Sequence, residues 1–159
     1  MMYKFTYATK IGSIIFVEMD GAISLISTIG KLENDCECVE TPLIKYAYSQ
    51  IKEYLDGDRQ SFDFPISLHG TSFQMKVWNA LKDIPYGETR SYGQIASIIG
   101  NVKASRAVGM ANNRNPLLIV IPCHRVIGAD GSMTGYASGI SIKEFLLSLE
   151  KEGTICPIP

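Results

Sequence analysis

The sequence predicts an α+β protein: a small α/β first half followed by a mainly helical second half. Three observations carry that reading. Short runs rich in Ile, Val, Phe and Tyr are concentrated in residues 3–28. Apolar residues at helical spacing dominate much of the remaining chain. At Gly70-Thr71 the chain also changes character, from an acidic stretch to a basic one.

Residues 3–8, 12–19 and 22–28 read as strands, with Asp20-Gly21 between the last two. Both central positions of such a tight hairpin want positive φ, which Asp and Gly tolerate best. Thr41-Pro42 then reads as a helix N-cap followed by Pro in the first turn. The helix 42–56 carries Leu43, Ala47, Tyr48, Ile51, Tyr54 and Leu55 at helical spacing and stops at Gly57. A polar loop, 57–61, leads to a short extended segment and the boundary at Gly70-Thr71.

The second half begins with a helix, 72–83, that turns Phe73, Val77, Trp78 and Leu81 inward and ends at Pro85-Tyr86-Gly87. Ser91 and Gln94 are spaced as a capping box for a short helix, 92–99, with Ile95, Ile98 and Ile99. Gly100-Asn101 turns the chain into a third helix, about 103–113. Helix, glycine turn, helix is the outline of a helix-turn-helix, although any helical hairpin gives the same outline. The third helix has small residues at Ala104, Ala107, Gly109 and Ala111, with Arg106 and Arg114 projecting. Small side chains suit close approach to a phosphate-lined groove, and equally suit close helix packing.

Composition limits the function classes. With 159 residues, 46% hydrophobic and 19% charged, the chain is long enough for one ordinary domain or two small ones. No apolar run approaches the roughly 20 residues of a membrane span, and MMYKFTYATK lacks a signal-peptide core, so a cytoplasmic protein is expected. Cys36, Cys38, Cys123 and Cys156 are then expected as reduced thiols. Cys36-x-Cys38 is too tight for a usual zinc pair, and neither His69 nor His124 stands at a ligand-like offset, so no metal is expected. The net charge of −1 hides an asymmetry: residues 1–70 hold 6 Lys or Arg against 10 Asp or Glu, and residues 71–159 hold 9 against 6. The excess fits a local polyanion-binding face, and fits a solvated surface as well.

The segment VIPCHRVIG, 120–128, raises the chemical question. The run LLIVI, 117–121, reads as a buried strand ended by Pro122, which leaves Cys123 where the strand emerges. A lone thiol there is more often a packing group than a nucleophile, and the same base rate applies to a structural His124. Two features favour chemistry. His124 and Arg125 bring potential positive charge, which favours the thiolate, and glycines at 128, 131, 135 and 139 form a loop able to wrap a ligand. Neighbours in a regular strand face opposite ways, so His124 can serve Cys123 only through a turn after Pro122 or through a water. Glu150, at the end of an amphipathic helix 140–151, is a candidate to hold the second imidazole nitrogen.

IPCHRVIG, with Arg-Ala-Val-Gly at 106–109 and Asn115-Pro116 before it, resembles the O6-alkylguanine-DNA alkyltransferase family. PYGETRSYGQIA at 85–96, TGYASG at 134–139 and IKEFLLSLE at 142–150 are similar to that family too, and the likeness spans roughly 72–151. The resemblance implies a ribonuclease-H-like α/β N-terminal domain, 1–70, of structural role. It implies a DNA-binding and alkyl-transfer domain, 71–153, with a winged-helix-like helix-turn-helix, and leaves a tail, 154–159. The implied activity is direct-reversal DNA repair: one alkyl group passes from O6 of guanine, or O4 of thymine, to the protein's own cysteine, once per molecule. By position, Cys123 would be the acceptor, His124 the base through a water, and Glu150 the group that orients it. Tyr92 would help turn the base out and donate a proton, Arg106 would fill the vacated stack, and Asn115 would be a hinge. Asn101 and Lys103 would contact phosphates, and Tyr136 and Ser138 would wall the alkyl pocket. The resemblance implies no cofactor and a monomer that binds double-stranded DNA through the minor groove with little sequence preference. Two readings compete with it on the residues: a DNA-binding module or regulator that recognises without transfer, and a cysteine hydrolase, which would need an oxyanion hole.

Overall fold

The structure, a computed structural model, describes residues 1–28, 36–133 and 136–154. Cys156, Thr134, Gly135 and the tail beyond Thr154 lie outside the described residues. The fold is mixed α/β, and its contacts cluster into two units, Met1–His69 with Pro116–Leu118, and Gly70–Asn115 with Ile119 onward.

Among the described residues, the first unit is a four-stranded sheet with one helix. Strands β1 (Met2–Thr9), β2 (Gly12–Met19) and β3 (Ala22–Ser27) form an antiparallel meander, and β4 (Cys36–Cys38) adds in parallel to β1, giving the order β3-β2-β1-β4. Asp20 and Gly21 both have positive φ, at 51° and 81°, the geometry of a tight hairpin turn. Helix α1 (Pro42–Leu55) packs on β1, β2 and β3, burying Ile44, Ala47, Ile51, Tyr54 and Leu55. Thr41 caps it, its hydroxyl accepting from the Ile44 N–H at 3.1 Å. Strand β4 has no signature of its own in the sequence, because three residues are too few to show a period. Backbone pairing with Met2, Tyr3 and Lys4 makes it a strand.

The expected strand 117–121 is corrected. Pro116–Leu118 belongs to the first unit, where Ile26 donates to the Pro116 carbonyl at 2.8 Å and Leu118 donates to Ile26 at 3.0 Å. The chain then turns at Ile119, which has φ +73°, a conformation a β-branched residue seldom takes. An apolar run fixes burial but cannot by itself distinguish a strand from a buried turn.

The second unit contains α2 (Ser72–Lys82), α3 (Tyr92–Ile98), α4 (Ser105–Asn113) and α5 (Ile140–Thr154). A two-residue parallel pair, β5 (Arg90–Ser91) and β6 (Val126–Ile127), joins the approach to α3 with the segment after Cys123. Capping boxes start two of the helices, Thr71 with Gln74 at α2 and Ser91 with Gln94 at α3. Helices α2, α3 and α4 pack together, and Gly100, at φ +82°, makes the turn between α3 and α4. Trp78 is 2% exposed and its Nε1 donates to the Ala111 carbonyl at 2.9 Å, which ties α2 to α4. Gly70 passes so close to this indole that an added Cβ would lie 2.5 Å from the ring. Ile98 is 60% exposed, because the buried side of the seven-residue α3 is made by Ile95 and Ala96. No described helix is long and apolar enough to cross a membrane.

Candidate active site and nucleic-acid face

After Pro122 the chain coils into a single 3₁₀ turn, Cys123–Arg125, rather than continuing as a strand. The turn frees Cys123 and His124 from the opposite-face rule of an extended chain. All three side chains of the turn are buried, Cys123 at 5% and His124 at 0% exposure. Two asparagines of the preceding segment hold the backbone here. Asn112 Nδ2 donates to the Cys123 carbonyl at 3.2 Å, and Asn115 Nδ2 donates to the Ile121 carbonyl at 2.7 Å.

The thiol faces the loop that precedes α5. Cys123 Sγ donates to the Tyr136 hydroxyl at 3.7 Å. Burial pushes the thiol pKa up, opposed by hydrogen bonds from Asn115 and Tyr136 and by the charge of Lys143. In the ionised state the Tyr136 hydroxyl can rotate to donate to the sulfur, which explains why it favours the thiolate.

Behind the thiol is a carboxylate-held histidine. His124 Nε2 lies 2.6 Å from Glu150 Oε2. An ionised carboxylate only accepts, so the imidazole proton sits on Nε2 and Nδ1 carries the lone pair of the neutral ring. Burial lowers the His124 pKa, and the Glu150 hydrogen bond opposes this. Arg125 binds the same carboxylate in a fork, Nε to Oε1 at 2.8 Å and Nη2 to Oε2 at 3.0 Å, and Nη1 donates to the Ile84 carbonyl at 2.6 Å. The Gly87 N–H adds a further donor to Glu150 at 3.2 Å, anchoring the Pro85-Tyr86-Gly87 turn to the site.

This geometry corrects one part of the electrostatic expectation. Arg125 is spent on Glu150, and burial favours neutral His124, so neither is the cation that acts on the sulfur. That cation is Lys143, which the sequence reasoning missed. Its signal was in the spacing: Lys143, Leu146 and Glu150 stand at i, i+3 and i+7 on one face of α5, and all three are buried. The hold of Asn112 on the Cys123 carbonyl and the carboxylate fork of Arg125 were likewise not anticipated.

The expected nucleic-acid residues lie on the same unit. Tyr92 opens α3 and is half-buried, whereas Asn101, Lys103 and Arg106 are exposed on and before α4. The small residues of α4 divide between the two roles considered for them. Ala104 and Ala111 are buried in packing, while Ala107 lies on the exposed side with Arg106 and Arg114. Ser138 is half-buried two residues after Tyr136. Among the described residues, Cys36, Cys38 and Cys123 are free thiols, and no group of three or more His, Cys, Asp or Glu could hold a metal ion.

A family model described as 6-O-methylguanine DNA methyltransferase, DNA binding domain, matches residues 72–152. The methylated-DNA–protein-cysteine methyltransferase of Methanosarcina acetivorans is 50% identical, over 94% of this chain and 98% of that protein. The constitutive Bacillus subtilis protein of the same name is 44% identical, over 95% and 96%. Among solved structures, the Mycobacterium tuberculosis O6-methylguanine methyltransferase aligns with a TM-score of 0.90 at 39% identity, covering 99% of this chain and 97% of that one. A complex of the Mycobacterium tuberculosis OGT with DNA aligns at 0.89 and 41% identity, covering 95% and 94%. The match to the DNA-binding domain and relatives aligned over nearly the whole length together establish that the chain belongs to the 6-O-methylguanine DNA methyltransferase family.

Proposed function

We propose that the protein repairs alkylated DNA by moving an alkyl group from O6 of guanine, and from O4 of thymine, onto Cys123. The observation that carries this reading is a buried thiol beside a histidine held by a carboxylate, in a unit that matches the family's DNA-binding domain. Cys123 gives its proton through a water to Nδ1 of His124, and the sulfur attacks the saturated alkyl carbon. The S–C bond forms as the C–O bond breaks, and the electron pair passes to the base, which takes up a proton with Tyr92 as donor. Return of the proton held on His124 to the Tyr92 phenolate leaves the dealkylated base, a neutral thioether and both side chains as they began. Displacement at saturated carbon by a soft thiolate asks for no cofactor, and the thioether has no easy route back, so each molecule acts once.

O6 lies on the major-groove edge of a stacked guanine, out of reach of an active site that approaches from the minor groove, so the target nucleotide is flipped, at an unstacking cost of a few kcal/mol. Arg106 fills the vacated stack, Asn101 and Lys103 contact phosphates, and Asn115 is the hinge between α4 and the active-site segment. Tyr136 and Ser138 wall the alkyl pocket. Arg106 and Arg114 project from the exposed side of α4 beside the small Ala107, an arrangement that suits the minor groove, where readout is degenerate and sequence preference slight. The reading also includes a ribonuclease-H-like first domain (1–70) of structural role, a winged-helix-like second domain (71–153), and a cytoplasmic monomer.

Incubation with a duplex bearing O6-methylguanine, then mass analysis of the intact protein and its peptides, tests the reading. One methyl group on the Cys123 peptide, with no second turnover, is expected. An unmodified protein that still binds the duplex would overturn it in favour of a recognition module.

A further inference from the structure

The first unit carries a row of sulfur that alkyl transfer does not use. Met2 of β1 pairs with Cys36 of β4 on one side and with Met19 of β2 on the other, and Lys4 pairs with Cys38. Residues paired across neighbouring strands project to the same face, and so do residues two apart along one strand. Cys36, Cys38, Met2 and Met19 therefore share one face at the edge of the sheet. That face is turned away from α1, which meets the opposite one: Tyr48 stacks on Tyr7 at 3.7 Å, and the Thr41 hydroxyl donates to the Glu18 carboxylate. Met2, Met19 and Cys36 are half-buried and Cys38 is exposed, so the row is open to solvent.

We propose that this row binds one soft monovalent cation, Cu(I), with Cys36 and Cys38 as thiolates and Met2 and Met19 as thioethers. The donor chemistry selects the ion, because thiolate and thioether sulfur favour Cu(I) over harder cations. Two thiols this close make a poor zinc pair, and the methionines add soft donors rather than the further His or Cys that zinc takes. Neighbouring strands lie about 4.8 Å apart and residues two apart about 6.6 Å, spans that cysteine and the flexible methionine side chain can close onto one ion. The same spacing disfavours a disulfide, since about 6.6 Å between Cα atoms is near the upper end of the range a disulfide bridges. Each thiol gives its proton to solvent as its sulfur–copper bond forms. Two thiolates around a monovalent ion keep one negative charge, and Lys4, beside Cys38, balances it. The bound ion spans three strands and clamps β4, which pairs with β1 through only three residues, to the sheet.

The test uses the full chain with Cys123→Ala and Cys156→Ser, which leaves Cys36 and Cys38 as its only thiols. The reduced protein is titrated with Cu(I) without oxygen, in competition with bicinchoninate, and the absorbance of the copper–chelator complex is followed. One equivalent of copper should be withheld from the chelator. Cys36→Ser or Cys38→Ser should abolish this, and Met2→Leu and Met19→Leu should each weaken it about tenfold or more. Copper withheld equally after both cysteines are replaced would overturn the proposal, and so would methionine variants that bind as tightly as the parent. Binding to the folded chain alone should also raise its Tm in the presence of Cu(I), and an unchanged Tm would count against the clamp. X-ray absorption of the copper-loaded chain covers any variant that does not fold, because it leaves the row unsubstituted. A shell of sulfur alone, with more than two ligands, is expected; a shell with nitrogen or oxygen, or with two sulfurs only, would overturn the site.

Discussion

Replacing Glu150 by Gln removes one negative charge and almost no volume, so the change tests the ionic network rather than packing. Glu150 is 1% exposed and receives Arg125 twice, His124 once and the Gly87 N–H once, at 2.6–3.2 Å. A glutamine oxygen can keep part of this set, but its NH₂ group must then face the donors of Arg125 or His124. Arg125, at 7% exposure, is left as a buried cation without an anion. Breaking one side of a buried pair costs about 3–5 kcal/mol. For a chain of this size that corresponds to a Tm lower by roughly 6–20 °C. Urea unfolding and thermal melts of the parent and Glu150→Gln measure it, with Glu88→Gln as the control. Glu88 pairs with Arg90 at 3.2 Å but is 54% exposed, so its loss should cost less than about 1 kcal/mol. The double variant Arg125→Met, Glu150→Leu should lose less than the sum of the singles by more than about 1 kcal/mol. A Glu150→Gln chain as stable as the control, or additive singles, would refute the reasoning.

Two further outcomes are expected from the site. The His124 pKa is held below its ordinary 6.5, so the unfolded chain binds a proton that the folded one resists. Its contribution to stability is therefore present above about pH 6.5 and is lost as pH falls below it; urea titrations between about pH 5 and pH 8 should show this slope, and His124→Gln should flatten it. Arg106 is exposed on α4, so Arg106→Ala should leave stability unchanged. It should slow methyl transfer from duplex DNA by about tenfold or more while leaving transfer from the free modified base nearly intact. Equal losses on both substrates would remove Arg106 from any role in flipping.

Local sequence determined most of the element types, because capping and turn chemistry act within a few residues. Thr41-Pro42, Ser91 with Gln94, and Asp20-Gly21 each form the structure that their chemistry demands. The candidate nucleophile and its neighbour were legible too, since Cys123, His124 and Arg125 are adjacent and the surrounding motifs resemble one family closely.

Features that depend on partners distant in sequence were decided by tertiary structure. Strand β4 exists because β1 offers it an edge, and the apolar run at 117–121 breaks at Ile119 because its first residues pair with β3. The charge arrangement of the site is the sharpest case. Read along the chain, Arg125 stands two residues from Cys123 and Lys143 stands twenty away. In the fold Arg125 is drawn to Glu150, while Lys143, carried in on α5, is the cation that favours the thiolate. Composition and spacing determined which groups are available. Burial and the competition among buried charges, which no local pattern encodes, decided which of them acts on the sulfur.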